Sequence, residues 1–178
     1  MSAPTAAATP GSGSWARLPG VAEEVRLRGG LARAAGLCGA AAAALRASVS
    51  YANERVQFGR PIAAFQVIQH SIAELAVEVE AMTAATDAAV EVCAAEGFAG
   101  EPARIAIAVA KAQASAGAGI VARNAHQVHG AIGTTKEHSL HATTTRLWSW
   151  RDEYGSEREW QALLGQAALD KDVWEVVT

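Results

Sequence analysis

The sequence predicts an all-α protein, an up-down four-helix bundle with an additional C-terminal helix. Two observations carry this. Apolar residues recur at steps of three or four over long stretches, which is the repeat of one helical face. No run alternates apolar and polar residues with period two, so no sheet is expected. Long helices joined by short connections pack as antiparallel neighbours.

The elements follow in order. Residues 1–18 are small residues with Pro and Gly, which bury too little surface to offset the entropy of ordering, so a disordered tail is expected there and the bundle from 19 to 178. Pro19-Gly20 punctuates, and a helix should run from about Val21 to about Asn53, with Leu27, Leu31, Ala34, Cys38, Ala41, Leu45, Ser48 and Ala52 on one face. Residues 54–61 break the pattern, since Gly59 and Pro61 suit a loop leading into a helix start. The second helix, about Ile62 to Glu96, carries the stripe Ile68, Ile72, Leu75, Val79, Met82, Thr86, Ala89 and Cys93, and Gly97 and Gly100 end it. The third runs from Glu101-Pro102 to about His129, with Ile105, Val109, Ala112, Ala116, Ile120 and Val128 as its apolar face, until Gly130 and Gly133 break it. A fourth helix is expected over Glu137–Trp150 and a fifth over about Glu157–Trp174.

Composition excludes several function classes. The 178 residues suffice for one domain that buries about 70% of its unfolded surface. A net charge of −3, with no block of like charges, argues against nucleic acid and against an electrostatic membrane anchor. The apolar stretch Gly36–Leu45 is short, alanine-rich and flanked by Arg33 and Arg46, unlike a membrane span of about 20 strongly apolar residues. Met1–Ser14 lacks the basic start and hydrophobic centre of a secretion signal. Two cysteines far apart, Cys38 and Cys93, read as buried free thiols in a reducing compartment, hence cytoplasmic. His126 with His129, and His138 with His141, are spaced three apart, but neither pair follows the Glu-x-x-His pattern of bundle metal sites, so no metal is expected. Trp148, Trp150, Trp160 and Trp174 concentrate aromatic surface in the last third, as a core or a subunit interface does.

Three stretches carry a family resemblance. The first is Tyr51-Ala52-Asn53-Glu54-Arg55-Val56-Gln57-Phe58-Gly59-Arg60-Pro61-Ile62, followed by Phe65-Gln66. The second is Lys111 and then Ala125-His126-Gln127-Val128-His129-Gly130-Ala131-Ile132-Gly133. The third is Arg146-Leu147-Trp148 leading into Trp150-Arg151-Asp152-Glu153-Tyr154-Gly155. In order and spacing these resemble the C-terminal helical domain of flavin-dependent acyl-CoA dehydrogenases, over roughly residues 20–175. Members of that family also carry an N-terminal helical domain and a middle β-barrel domain, to which nothing here corresponds.

The candidate site residues have a chemical reading and a family reading. Arg55 carries a permanent charge in a loop, and its planar fork suits a pyrophosphate; the resemblance implies contact with the FAD pyrophosphate of a neighbouring subunit. Phe58, an aromatic in a Gly-Pro loop, reads by itself as a core plug and Gln66 as a surface glutamine; the resemblance instead places Phe58 near the adenosine of FAD and Gln66 near the adenine end. Gln127–Gly130 end the third helix, where glycine permits close approach of backbone to a ligand; the resemblance implies backbone contacts to FAD there. The family's base is a glutamate that takes the α-proton, which needs a carboxylate within hydrogen-bond reach. Many members place it immediately before a Gly-Thr or Gly-Ser pair. Here Tyr154 precedes Gly155-Ser156, and Glu153 stands one residue earlier as the candidate base. Another branch places the base in the first helix, where the matching region, about Arg28–Gly30, holds no carboxylate.

The resemblance implies a component of an FAD-dependent acyl-CoA dehydrogenase, an oxidoreductase of acyl-CoA metabolism. It would work in a homo- or hetero-oligomer with a chain carrying the N-terminal and barrel domains, on an acyl-CoA thioester. The alternatives are a non-catalytic interaction module derived from the family, or a bundle recruited to chemistry without flavin.

Overall fold

The computed structural model describes residues 20–134 and 139–170. Five helices dominate: α1 (Val21–Glu54), α2 (Gln66–Glu96), α3 (Glu101–His129), α4 (Ser139–Trp150) and α5 (Glu157–Asp170). The expected tail over 1–18, the start of α4 at Glu137, and His138 and Trp174 lie outside the described residues.

Glycine and proline set the helix ends. Gly97 closes α2 at φ 79°, its N–H donating to the Cys93 carbonyl. Gly100 caps α3, and Pro102 sits in the first turn, where a missing N–H costs nothing. Ser156 opens α5 with a reciprocal cap: its N–H and hydroxyl donate to Glu159 at 2.7 and 2.8 Å. Those two hydrogen bonds, the backbone one first, are the leading reason the Glu159 carboxyl lies below its ordinary range.

Two details depart from the expected pattern. The connection 54–65 contains a minimal antiparallel pair, β1 (Val56–Gln57) and β2 (Arg60–Pro61), with Val56 facing Pro61 and Gln57 facing Arg60. Strands of two residues are too short for period-two alternation to show. Residues Ile62–Ala64 form a 3-10 turn, so α2 starts at Gln66 rather than at Ile62.

The core is built around α3, which packs against α1, α2, α4 and α5. The sequence stripes of α1 and α2 largely face it: Leu27, Leu31, Leu75, Val79 and Met82 are buried. The face expected for α3 needs correction. Val109 is 43% exposed, whereas Ala108, Ala110, Ala114, Ala118, Val121 and Ala125 are buried. A helix enclosed on most sides has no single apolar stripe to read. Its small residues also bring neighbours close: at Gly117 an added methyl would lie 2.7 Å from the Met82 sulfur. This helix is long and apolar enough to cross a membrane, but 67% of its most apolar stretch is buried by the other helices.

The last third of the chain locks onto α1 by aromatic-into-glycine packing. Trp160 is fully buried and its ring reaches 3.0 Å from where a Gly30 methyl would stand. Trp150 lies 3.4 Å from the same position on Gly36, and Tyr154 occupies the notch at Gly29. Trp148 instead remains 48% exposed.

Candidate functional site

The bundle has two ends. Because α1, α2 and α3 run antiparallel in turn, the end of α1, the start of α2 and the end of α3 meet at one of them. Arg55, Phe58, Gln66, Gln127 and Gly130 all belong to that end.

Arg55 terminates α1 by leaving helical geometry at ψ 115°; its N–H donates to the Tyr51 carbonyl at 2.9 Å. Its own carbonyl accepts from Ile62 N–H at 2.8 Å, which closes the base of the hairpin. The hairpin turns on Phe58 and Gly59, at φ 51° and 79°. Two successive positive φ values match the twist of a two-residue hairpin. Glycine takes this at no steric cost, but for Phe58 the left-handed region costs about 1–2 kcal/mol. The strained residue is also 92% exposed. Phe58 meets Phe65 edge-on at 6.1 Å, and the Arg60 guanidinium lies 4.4 Å over the Phe65 ring. Gln66 opens α2 and is exposed.

The end of α3 is held against the last turn of α1. His129 is buried and stacks on Tyr51 at 4.6 Å and 21°, with Nδ1 2.8 Å from the Ala125 carbonyl. Gly130 then takes φ 62°, ψ −147°, in a region essentially confined to glycine. Its N–H donates to the His126 carbonyl. Gln127 stands exposed one turn earlier. Beneath the turn, His126 Nε2 lies 3.0 Å from Thr144 Oγ1, and its buried Nδ1 has no hydrogen-bond partner among the described residues. Burial, and then nearby His141, push the His126 imidazole below its ordinary range.

The chemistry of this end suits an anionic, aromatic-bearing ligand. Arg55 and Arg60 are exposed and form no ion pair among the described residues, while Glu54 accepts a hydrogen bond from Ser50 at 2.6 Å. Arg55, outside any ion pair among the described residues, and Arg60 over the Phe65 ring are groups of the kind that hold a pyrophosphate and pack against a nucleoside. Among the described residues no three His, Cys, Asp or Glu side chains converge on a common point for a metal.

Glu153 is not at this end. It lies in the turn between α4 and α5, where Arg33 Nε donates to its Oε2 at 2.6 Å. The Arg33 guanidinium also lies 4.9 Å over the Trp150 ring. Arg33 and Arg55 stand on the same helix, roughly 33 Å apart at about 1.5 Å per residue. One chain therefore does not bring Glu153 to the Arg55 cluster. Beside it, Tyr154 at φ 58° is the second non-glycine residue with positive φ among the described residues.

A family model described as acyl-CoA dehydrogenase, C-terminal domain, matches residues 22–151. The chain belongs to the acyl-CoA dehydrogenase family. Acyl-CoA dehydrogenase IpdE2 of Mycobacterium tuberculosis is 34% identical over 157 residues, covering 88% of the chain and 44% of that protein. The chain thus spans less than half the length of that curated relative. Among solved structures, the glutaryl-coenzyme A dehydrogenase glutaryl-CoA complex superposes with a TM-score of 0.75 at 30% identity, over 83% of this chain and 36% of that one. The Tcur3481-Tcur3483 steroid ACAD G363A variant superposes with a TM-score of 0.71 at 32% identity, over 79% and 38%. These acyl-CoA dehydrogenase relatives agree with the helical architecture found here.

Three structural residues carried no role in the sequence reading: Tyr51 and Lys111, which stood within the motif stretches, and Gly29, which receives Tyr154. For Lys111 a signal existed. It is the sole charged residue between Arg104 and Arg123 in a helix rich in Ala and Gly.

Proposed function

We propose that the chain is the C-terminal bundle of a flavin-dependent acyl-CoA dehydrogenase, acting in an assembly that also supplies a barrel and an N-terminal helical domain. The observation that carries the reading is the gathering of Arg55, Phe58, Gln66, Gln127 and Gly130, all exposed, at one end of the bundle, with the Tyr51–His129 stack behind them. A scaffold alone has no use for a strained, exposed Phe58 in a hairpin whose two arginines, Arg55 and Arg60, form no ion pair among the described residues.

In this reading Arg55 binds the FAD pyrophosphate, Phe58 packs on the adenosine, Gln66 faces the adenine end, and the Gln127–Gly130 turn offers backbone groups. FAD, when bound, supplies the hydride acceptor for α,β-dehydrogenation of an acyl-CoA thioester. The along-helix separation of roughly 33 Å supports a reading in which Arg55 serves one flavin, while Glu153, as candidate acceptor of the α-proton, belongs to another. This favours a homo- or hetero-oligomer in which neighbouring chains complete each other's sites. The two free thiols fit a reducing, cytoplasmic setting.

The test is to purify the native assembly through a tag on this chain and measure reduction of an artificial electron acceptor with a panel of acyl-CoA thioesters. Bound flavin and acceptor reduction with at least one thioester are expected. An assembly that holds no flavin and oxidises none of them overturns the reading.

A further inference from the structure

Lys111 is fully buried at the centre of α3. Its ammonium has three N–H groups, and each has a partner: Ser115 Oγ at 2.8 Å, the Arg151 carbonyl at 2.7 Å and the Gly155 carbonyl at 3.0 Å. Ser115 Oγ donates in turn to the Arg151 carbonyl at 2.8 Å. All these acceptors are neutral, so the charge is solvated by oxygen dipoles rather than paired with a carboxylate. The two carbonyls bracket the turn that carries Asp152, Glu153 and Tyr154. An unpaired carbonyl at the end of α4 would be costly to bury, and Lys111 meets that need from a different helix.

We infer that Lys111 is the positioning residue for this turn, holding the residues 151–155 so that Glu153 reaches Arg33 and the Tyr154 ring enters the Gly29 notch. Two contacts on α1 fix the direction of the turn from outside, and the ammonium fixes its ends from inside. This explains how Tyr154 persists at positive φ, since such a residue needs surroundings that over-determine it. The inference deepens the proposed function, because Glu153 is the candidate base. It rests on that reading only for its consequence in catalysis.

A buried ammonium is the one clamp in this turn that loses a donor by deprotonation. Burial, the largest cause, lowers the Lys111 pKa to about 8. The charged groups facing it are Arg151, Asp152 and Glu153 from the turn and Glu159 from α5, of which the three carboxylates favour the charged form and Arg151 opposes it. Arg33 on α1 answers Glu153, and Arg151 also approaches Glu157 at 3.6 Å. Neutral Lys111 has two N–H groups for its three acceptors, Ser115 Oγ and the Arg151 and Gly155 carbonyls, so one of the three loses its Lys111 donor.

The experiment is a backbone NMR titration of the chain from pH 6.5 to 9.5, in the wild type and in Lys111→Met. In the wild type the amide shifts of residues 152–156 should move together with one midpoint near 8, while core amides of α2 such as Met82 stay put. In Lys111→Met that titration should vanish, with the turn amides displaced at every pH. Should Lys111→Met not fold, Ser115→Ala, which removes one acceptor and keeps the ammonium, should retain the titration with a shifted midpoint. Turn amides that do not titrate in the wild type, or that titrate alike in Lys111→Met, overturn the inference. Failure of the flavin reading leaves the titration in place, so the two failures are distinguishable.

Discussion

Two glycines of α1, ten residues apart, should answer the same substitution in opposite ways. At Gly39 an added methyl meets nothing within 4 Å, so Gly39→Ala gains only helix propensity, about 1 kcal/mol. At Gly29 the same methyl would stand 2.2, 2.3 and 2.5 Å from Tyr154 ring atoms, closer than any real contact. The helix backbone cannot yield, so the ring must leave the notch and surrender its burial on α1. Overpacking of this kind costs about 1–3 kcal/mol. Propensity is common to both variants and cancels in their difference, which leaves the packing cost alone. For a chain of this size that difference is roughly 6 °C in Tm, within a range of about 2–12 °C. Thermal unfolding followed by far-UV circular dichroism at matched concentration measures it. A double-mutant cycle sharpens the result: in a Tyr154→Ala background the penalty at Gly29 should disappear. Equal Tm values for Gly29→Ala and Gly39→Ala would refute the seating of Tyr154 against α1.

Two further outcomes follow from the site. Glu153→Gln in the assembly should cost at most about 1 kcal/mol of stability, because its partner Arg33 is one-third exposed and screened by solvent; turnover should fall at least ~100-fold with flavin retained, and unchanged turnover would put the base elsewhere. His126 is held below its ordinary value of 6.5, so the unfolded chain binds more protons than the folded one just below that pH. Stability should therefore drop as pH falls through 6.5, and His126→Gln should flatten the drop in urea unfolding measured at pH 7.5, 6.5 and 5.5. Parallel losses in both proteins would show that His126 plays no part.

What could be read from the sequence was whatever has a local cause. Gly97, Gly100 and Pro102 end and start helices by their own backbone preferences, and those boundaries stand where the sequence places them. The α2 stripe was legible because acidic residues on the other face give it contrast. The α3 face was not, since a helix of Ala, Gly and Ser enclosed by four others has little contrast to offer. The hairpin at 56–61 escaped because two residues per strand carry no period. At the candidate site, Arg55 and Gly130 were singled out by residue type and motif. The long-range contacts that organise them, Tyr51 on His129, Lys111 on two carbonyls and Tyr154 in the Gly29 notch, depend on packing between distant segments and have no local signature.

The proposed flavin site at the Arg55 end of the bundle is open to direct test. The most direct measurement is the flavin content of the native assembly, read from the visible band near ~450 nm that belongs to the cofactor, in the wild type and in Arg55→Ala. Arg55 is exposed and unpaired among the described residues, so its loss should leave the fold and the assembly intact. A charge-assisted contact to a phosphate contributes about 1.5–3 kcal/mol, so affinity for FAD should fall roughly 10- to 150-fold. Flavin lost on gel filtration from Arg55→Ala but retained by the wild type is the predicted result. Equal flavin retention in the two proteins would mean that Arg55 does not hold the cofactor.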